Sequence, residues 1–215
     1  MQQLVRRHPV IVSLVLAGAL AGLLVAAGCR TLPREPGYGA RLTPFSFLEE
    51  TDRVTFAVDT QATRYREDKP FVPFGVAVAN RGMPRLTITR KSFVLVDEQG
   101  REYRMATIPE VKRLASLVIY DLKLSSGFLS AFFTRYSSWP RIPAVFFPLQ
   151  VTEGEYQSRA IVRDRIELHP QSWMFDVIYF PHPEGRLVGS SFRVRFRTVE
   201  MHEPIEVRVR VGDKE

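Results

Sequence analysis

Phe74-Gly75-Val76-Ala77-Val78-Ala79-Asn80-Arg81-Gly82 is the stretch that decides the fold class. Phe74, Val76 and Val78 alternate with small residues, and the run ends in the turn-forming Asn80-Arg81-Gly82. A period of two puts alternate side chains on opposite faces of an extended chain, which predicts a half-buried strand. The same period recurs on both sides of it. Val54, Phe56 and Val58 precede it, and Leu86 and Ile88 follow, alternating with Thr87 and Thr89. Phe93-Val94-Leu95-Val96 runs into the turn signal Asp97-Glu98-Gln99-Gly100, and Glu102-Tyr103-Arg104-Met105 leaves it. Later runs are Val145 to Leu149, Arg159 to Val162, Trp173 to Phe180, Phe192 to Val199 and Ile205 to Val211. Many short strands separated by turns predict a mostly β protein built as a β-sandwich.

One segment departs from that period. Val111, Leu114, Leu117, Val118, Leu122, Leu129, Phe132, Phe133 and Tyr136 recur at i, i+3 and i+4 between Pro109 and Trp139. That spacing predicts a short helical insertion around 109–139. Gly127, after Ser125-Ser126, is the expected break between two helices. The insertion is expected between strands or as a cap over one end of the sandwich.

The N-terminal residues carry a different signal. Arg6, Arg7 and His8 lie in a basic start, and an apolar stretch follows from Val10 to Gly28. A charged region, an apolar region and small residues before a cut describe a secretory signal peptide. An apolar run of about 18 residues also matches the length of a membrane span. Small Ala26, Ala27 and Gly28, with the chain's single cysteine directly after them, favour cleavage. Leu23-Leu24-Val25-Ala26-Ala27-Gly28-Cys29 resembles the lipobox of bacterial lipoproteins. The resemblance implies that residues 1–28 are removed. It also implies that the Cys29 thiol carries diacylglycerol and the freed amine a further acyl chain such as palmitate. Two or more chains hold a protein stably on a membrane. Arg30, where a retained protein of enteric bacteria has Asp, implies the outer membrane facing the periplasm, with the inner membrane as the alternative. Residues 29–44, with Pro33, Pro36, Pro44, Gly37 and Gly39, read as a linker with a reach of about 40 Å.

Removing 28 of the 215 residues leaves 187, enough for one domain over 45–215 with its own core. A single cysteine excludes an internal disulfide. The mature chain holds 28 Lys and Arg against 23 Asp and Glu, a net of +5. That balance suits an anionic membrane surface, and no nucleic-acid motif accompanies it.

A second resemblance rests on three stretches. These are Phe74 to Asn80, then Phe93-Val94-Leu95-Val96-Asp97, then Gly100-Arg101-Glu102-Tyr103. Together they resemble the immunoglobulin-like modules of bacterial lipoproteins, and Phe175-Asp176-Val177-Ile178-Tyr179-Phe180-Pro181 resembles their strand ending in Phe and Pro. The likeness covers about half of the mature chain and leaves out the helical insertion. It implies an immunoglobulin-like β-sandwich and a binding or scaffolding role, with no chemistry attached.

Two candidate contact surfaces stand out. Arg193, Arg195 and Arg197 alternate with Phe192, Val194 and Phe196, and Arg208 and Arg210 alternate with Val207, Val209 and Val211. If the two strands pair, five guanidiniums share one face, suited to phosphate or carboxylate. The competing reading is a solvated outer face balanced by Glu206 and nearby acids. The second surface is aromatic: Phe128, Phe132, Phe133, Tyr136 and Trp139 form either core packing or an exposed groove for an apolar partner. Other features carry less. His169, His182 and His202 lack metal-ligand spacing, and no serine lies in Gly-x-Ser-x-Gly. Asp97 and Glu98 belong to a turn, and Glu153 and Glu155 flank Gly154 in a loop. No metal or cofactor is expected.

The expected function is therefore a lipid-anchored envelope protein that binds or scaffolds another envelope component without catalysis. The alternative is a periplasmic carrier or chaperone for a lipid or other amphiphile, with the helical insertion as a lid. A hydrolase with a triad assembled only in space is a third option. A pocket lined by rings would mark the carrier, a flat exposed patch the binding module, and a cleft joining Ser or Asp to His the enzyme.

Overall fold

The computed structural model describes residues 36–111, 115–147 and 161–212, with backbone alone at 115–117. Residues 1–28, Cys29, Glu153 and Glu155 lie outside the described residues.

The run that opened the reading is β4 (Phe71–Asn80), and it lies inside a five-stranded antiparallel sheet. The order is β1 (Ala40–Thr43), β2 (Ser46–Glu50), β3 (Val54–Asp59), β4 and β11 (Ser172–Pro181). A four-stranded antiparallel sheet has the order β13 (Ile205–Arg210), β12 (Ser191–Phe196), β6 (Phe93–Val96) and β7 (Glu102–Arg104). Two short pairs complete the strands: β5 (Leu86–Thr89) with β10 (Arg165–Leu168), and β8 (Ala144–Val145) with β9 (Ile161–Val162).

β4, expected to be half-buried, is buried on both faces, and the two have different tasks. Phe74, Val76 and Val78 point towards the four-stranded sheet, where Phe74 meets Phe192 edge-on at 6.4 Å. Phe56 on β3 stacks on Phe196 at 5.1 Å, and Phe93 lies 5.3 Å from Phe196. These rings form the sandwich core. Asn80 closes the strand: its amide donates to the carbonyls of Met83 and Leu168 and accepts from the Met83 N–H.

The other face of β4 is small, with Gly75, Ala77 and Ala79, and Ala57 of β3 stands opposite Ala77. Helices pack there, where a large side chain would hold them off. They are α2 (Ala115–Leu124) and α3 (Ser126–Arg135), which follow the short α1 (Ile108–Val111). Phe128 meets Phe175 at 5.8 Å and Phe132 meets Trp173 at 5.5 Å. The protein is thus a β-sandwich with a short helical insertion, and the insertion is a third layer over a sheet face. Of the two expected placements it is the insertion between strands, β7 and β8, and not a cap over one end.

Three further expectations change. The break between α2 and α3 falls at Ser125, not Gly127, because the Ser125 hydroxyl donates to the Asp59 carboxylate beneath it. Residues 40–43, read as linker, form β1, because pairing with β2 satisfies their backbone groups. β2 and β10, too short and polar to show a clear period, were not expected at all.

Candidate functional site

The two arginine-bearing segments pair, as β12 and β13. Arg193 stands directly opposite Arg208, Arg195 opposite Glu206, and Ser191 opposite Arg210. On the other side of β12, Arg193 pairs with Val96 and Arg195 with Val94. Val96 and Val94 then lead to Glu102 and Arg104 of β7. Directly paired residues share a face. The outer face therefore carries Arg104, Arg193, Arg195, Arg208 and Arg210 against Glu102 and Glu206, a net of +3.

The arginines are not equivalent. Arg195 is neutralised: its Nε donates to Glu206 at 2.7 Å and its Nη1 to Glu102 at 2.6 Å. These hydrogen bonds push its guanidinium pKa above the usual value. Arg193 reaches the same Glu206 only at 3.5 Å. Arg208 lies over the Tyr38 ring at 4.9 Å. Among the described residues, neither Arg208 nor Arg210 has an ion-pair partner. Arg197 lies past the end of β12, exposed, with its N–H on the Ser92 carbonyl. Sequence alternation found four of the outer-face arginines. It missed Arg104, which joins them only through the β6–β7 and β6–β12 registers.

Two open clefts flank this face. One of about 530 Å3 is lined by Asp97, Glu98, Ser191, Phe192, Arg193 and Arg208. Another of about 580 Å3 includes Arg90, Lys91, Glu102 and Arg104. One wall of the first is tied by hydrogen bonds. Asp97 accepts from the backbone N–H groups of Gln99 and Arg101, from Arg101 Nε and from the Tyr103 hydroxyl. Burial alone would raise its pKa, but these bonds outweigh burial and hold it below the usual range.

The aromatic set divides. Phe128, Phe132 and Tyr136 are buried, which corrects their reading as a contact surface; they hold the helices on the sheet. Trp139 is half-buried, 4.8 Å from Tyr136, and its carbonyl accepts from Trp173 Nε1. Phe133 alone is well exposed, at 51%.

Beneath the helices lies a buried polar group that no sequence spacing announced. Asp59 accepts from Ser125, and Asp121 accepts from Arg66 and from the Tyr179 hydroxyl at 2.9 Å. Asp176, on the sandwich side, accepts from the N–H groups of Phe146 and Val177. Desolvation raises all three, Asp59 and Asp176 to about 7 and Asp121 to about 6, against the opposing hydrogen bonds and the Arg66 charge. These groups are sealed from solvent and brace the layers. His169 and His202 are exposed, and the His182 Nδ1 lies 2.6 Å from the Pro183 carbonyl. Among the described residues, no group of three His, Cys, Asp or Glu side chains is placed to hold a metal. No helix among them is long and apolar enough to cross a membrane.

No family model and no curated protein matches the chain. Among solved structures it is similar to a protein named as a putative lipoprotein (ycdA) from Bacillus subtilis. The TM-score is 0.41 at 10% identity, over 78% of this chain and 39% of that one. It is also similar to the yjhA protein of Bacillus subtilis, with a TM-score of 0.38 at 9% identity, over 77% of this chain and 96% of that one. The chain thus spans about two fifths of the length of the first of these proteins.

Proposed function

We propose that this chain is a lipid-anchored envelope protein, held through Cys29, that acts as a non-catalytic binding module. Its working surface is the outer face of the β13-β12-β6-β7 sheet. The observation that carries this reading is the cross-strand pair Arg193 and Arg208. Like charges directly opposite on paired strands are destabilising, and a face kept only for solubility has no use for that cost. An anionic partner relieves it, and arginine grips phosphate or carboxylate through two parallel hydrogen bonds. The carrier reading loses support because Phe128, Phe132 and Tyr136 fill the space under the helices that an amphiphile would occupy.

The test is a mild-detergent pull-down of the tagged protein from its native membranes, beside Cys29→Ala and Arg193→Gln/Arg208→Gln. A stoichiometric envelope component retained by the parent and lost in both variants supports the reading. Unchanged recovery in the arginine variant sinks it.

A further inference from the structure

We infer that the arginine face docks the domain onto the anionic headgroups of the leaflet that holds its own anchor. This rests on the reading of Cys29 as the lipidated residue, and it names the partner of the binding face.

The argument begins where the chain enters the domain. The Tyr38 hydroxyl is 2.7 Å from Ser191 Oγ, and the Arg208 guanidinium covers the Tyr38 ring at 4.9 Å. A Cβ on Gly37 would lie 3.4 Å from Arg208 Nη1, and the Gly39 N–H points at the Arg208 carbonyl at 3.4 Å. Residues 37–39 are therefore seated along β13, beside the arginines. Nine chain steps separate Tyr38 from Cys29. A fully extended chain advances about 3.3–3.6 Å per residue, so Tyr38, with Arg208 on its ring, cannot leave a Cys29-anchored bilayer by more than about 30 Å. The helical layer, with exposed Phe133 and Tyr120, lies on the opposite side of the sandwich.

Charge and shape agree with that orientation. The paired strand residues of the face carry a net of +3, with Asp97 and Glu98 at its rim beside Arg193 and Arg208, and Arg208 and Arg210 have no ion-pair partner among the described residues. Arg193, Arg208 and Arg210 are exposed. Among the described residues, the large exposed apolar side chains are Tyr120, Phe133, Ile161, Val162 and Val199, none of them on β12 or β13. Such a surface rests on headgroup phosphates without inserting into the acyl region. Its attraction is electrostatic, confined to about a Debye length, and weakened by salt.

The single cysteine makes the test direct. Once Cys29 is acylated, Gln99→Cys supplies one free thiol beside the cleft at Arg193 and Arg208, and Ser130→Cys supplies one on α3. Each dye-labelled, lipid-bearing protein is reconstituted into nanodiscs of phosphatidylcholine, with or without phosphatidylglycerol, containing an acceptor-labelled headgroup. The expected result is higher energy transfer from position 99 in anionic discs, and no rise from position 130. That gain is lost in Arg193→Gln/Arg208→Gln/Arg210→Gln, at matched circular dichroism and melting midpoint, and in high salt. Equal transfer in neutral and anionic discs, or a gain that survives the triple variant, overturns the docking. A Cys29 peptide without acyl mass overturns the anchor itself, and the mass spectrum shows that failure separately. A gain from position 130 in place of 99 overturns the orientation.

Discussion

At the residue scale, small size and buried charge do most to shape this protein. Gly75 lies where a Cβ would meet the Asp59 Cβ and the Ser125 Oγ, each at 3.1 Å. Gly75→Val therefore wedges α3 off the sheet, and chemical denaturation is expected to show a loss of about 1–3 kcal/mol. Alternation around Gly75 was legible, but the reason for the small residues was not, because the helix they admit lies about fifty positions away. The buried carboxylates set a pH dependence. Asp59 and Asp176 are raised from 3.8 to about 7. Between those values the folded state holds protons that the unfolded chain has released, so their contribution is complete below about pH 4. It is lost as pH rises through 7. Melting midpoints are expected to fall from pH 5 to pH 8. Asp59→Asn, which keeps an acceptor for Ser125, should flatten that slope, by about 4 kcal/mol at most. A slope unchanged in this variant would remove Asp59 as its source. Glu200 works oppositely: burial would raise it, but its bonds from the Thr87 hydroxyl and backbone N–H help hold it at about 2. Its contribution is lost only as the pH falls from its ordinary value towards 2.

At the element scale, α3 separates what a periodic pattern can say from what packing decides. Phe132 and Phe133 are neighbours in an apolar-rich helix, yet one is wholly buried and the other is 51% exposed. Phe132→Ala is expected to cost about 3–5 kcal/mol, through lost contacts with Trp173, Phe128 and Tyr136. Phe133→Ala, which loses a single ring contact with Trp173 at 6.2 Å, should cost about 1 kcal/mol when both variants are titrated with urea. Equal losses would mean that the helix does not sit on the sheet as described. The Tyr136 hydroxyl lies 2.6 Å from Thr55 Oγ1 and donates to Glu50 at 3.2 Å, and Thr55 also donates to Glu50, so Tyr136→Phe removes two bonds without orphaning the threonine. A loss of about 1 kcal/mol is expected.

At the scale of the molecule, one edge of the sandwich is closed by the segment that leads into it. β1 covers β2, and Tyr38 and Gly39 reach across to Ser191 and Arg208 of the other sheet. Deleting residues 36–44 bares the β2 edge and Phe47, a template for pairing with another chain. Size-exclusion chromatography is expected to show self-association of that deletion, whereas Tyr38→Phe should stay at the parent's elution volume. A deletion that elutes unchanged would show that β1 is not needed to protect the edge.

The mostly β class, most of the long strands and the helical insertion were legible along the chain. Each of these is written in a local period that reports which residues must leave water. It also placed Arg193, Arg195, Arg208 and Arg210 on a common side of their strands. Which arginines keep an unbalanced charge was set by how the strands pair. Glu206 lies eleven positions from Arg195 and Glu102 ninety-three, and pairing register alone brings both to it. Packing likewise decided that the helices form a layer and that three carboxylates are sealed beneath and between the sheets. Burial is a property of how distant segments meet, and no local spacing encodes it.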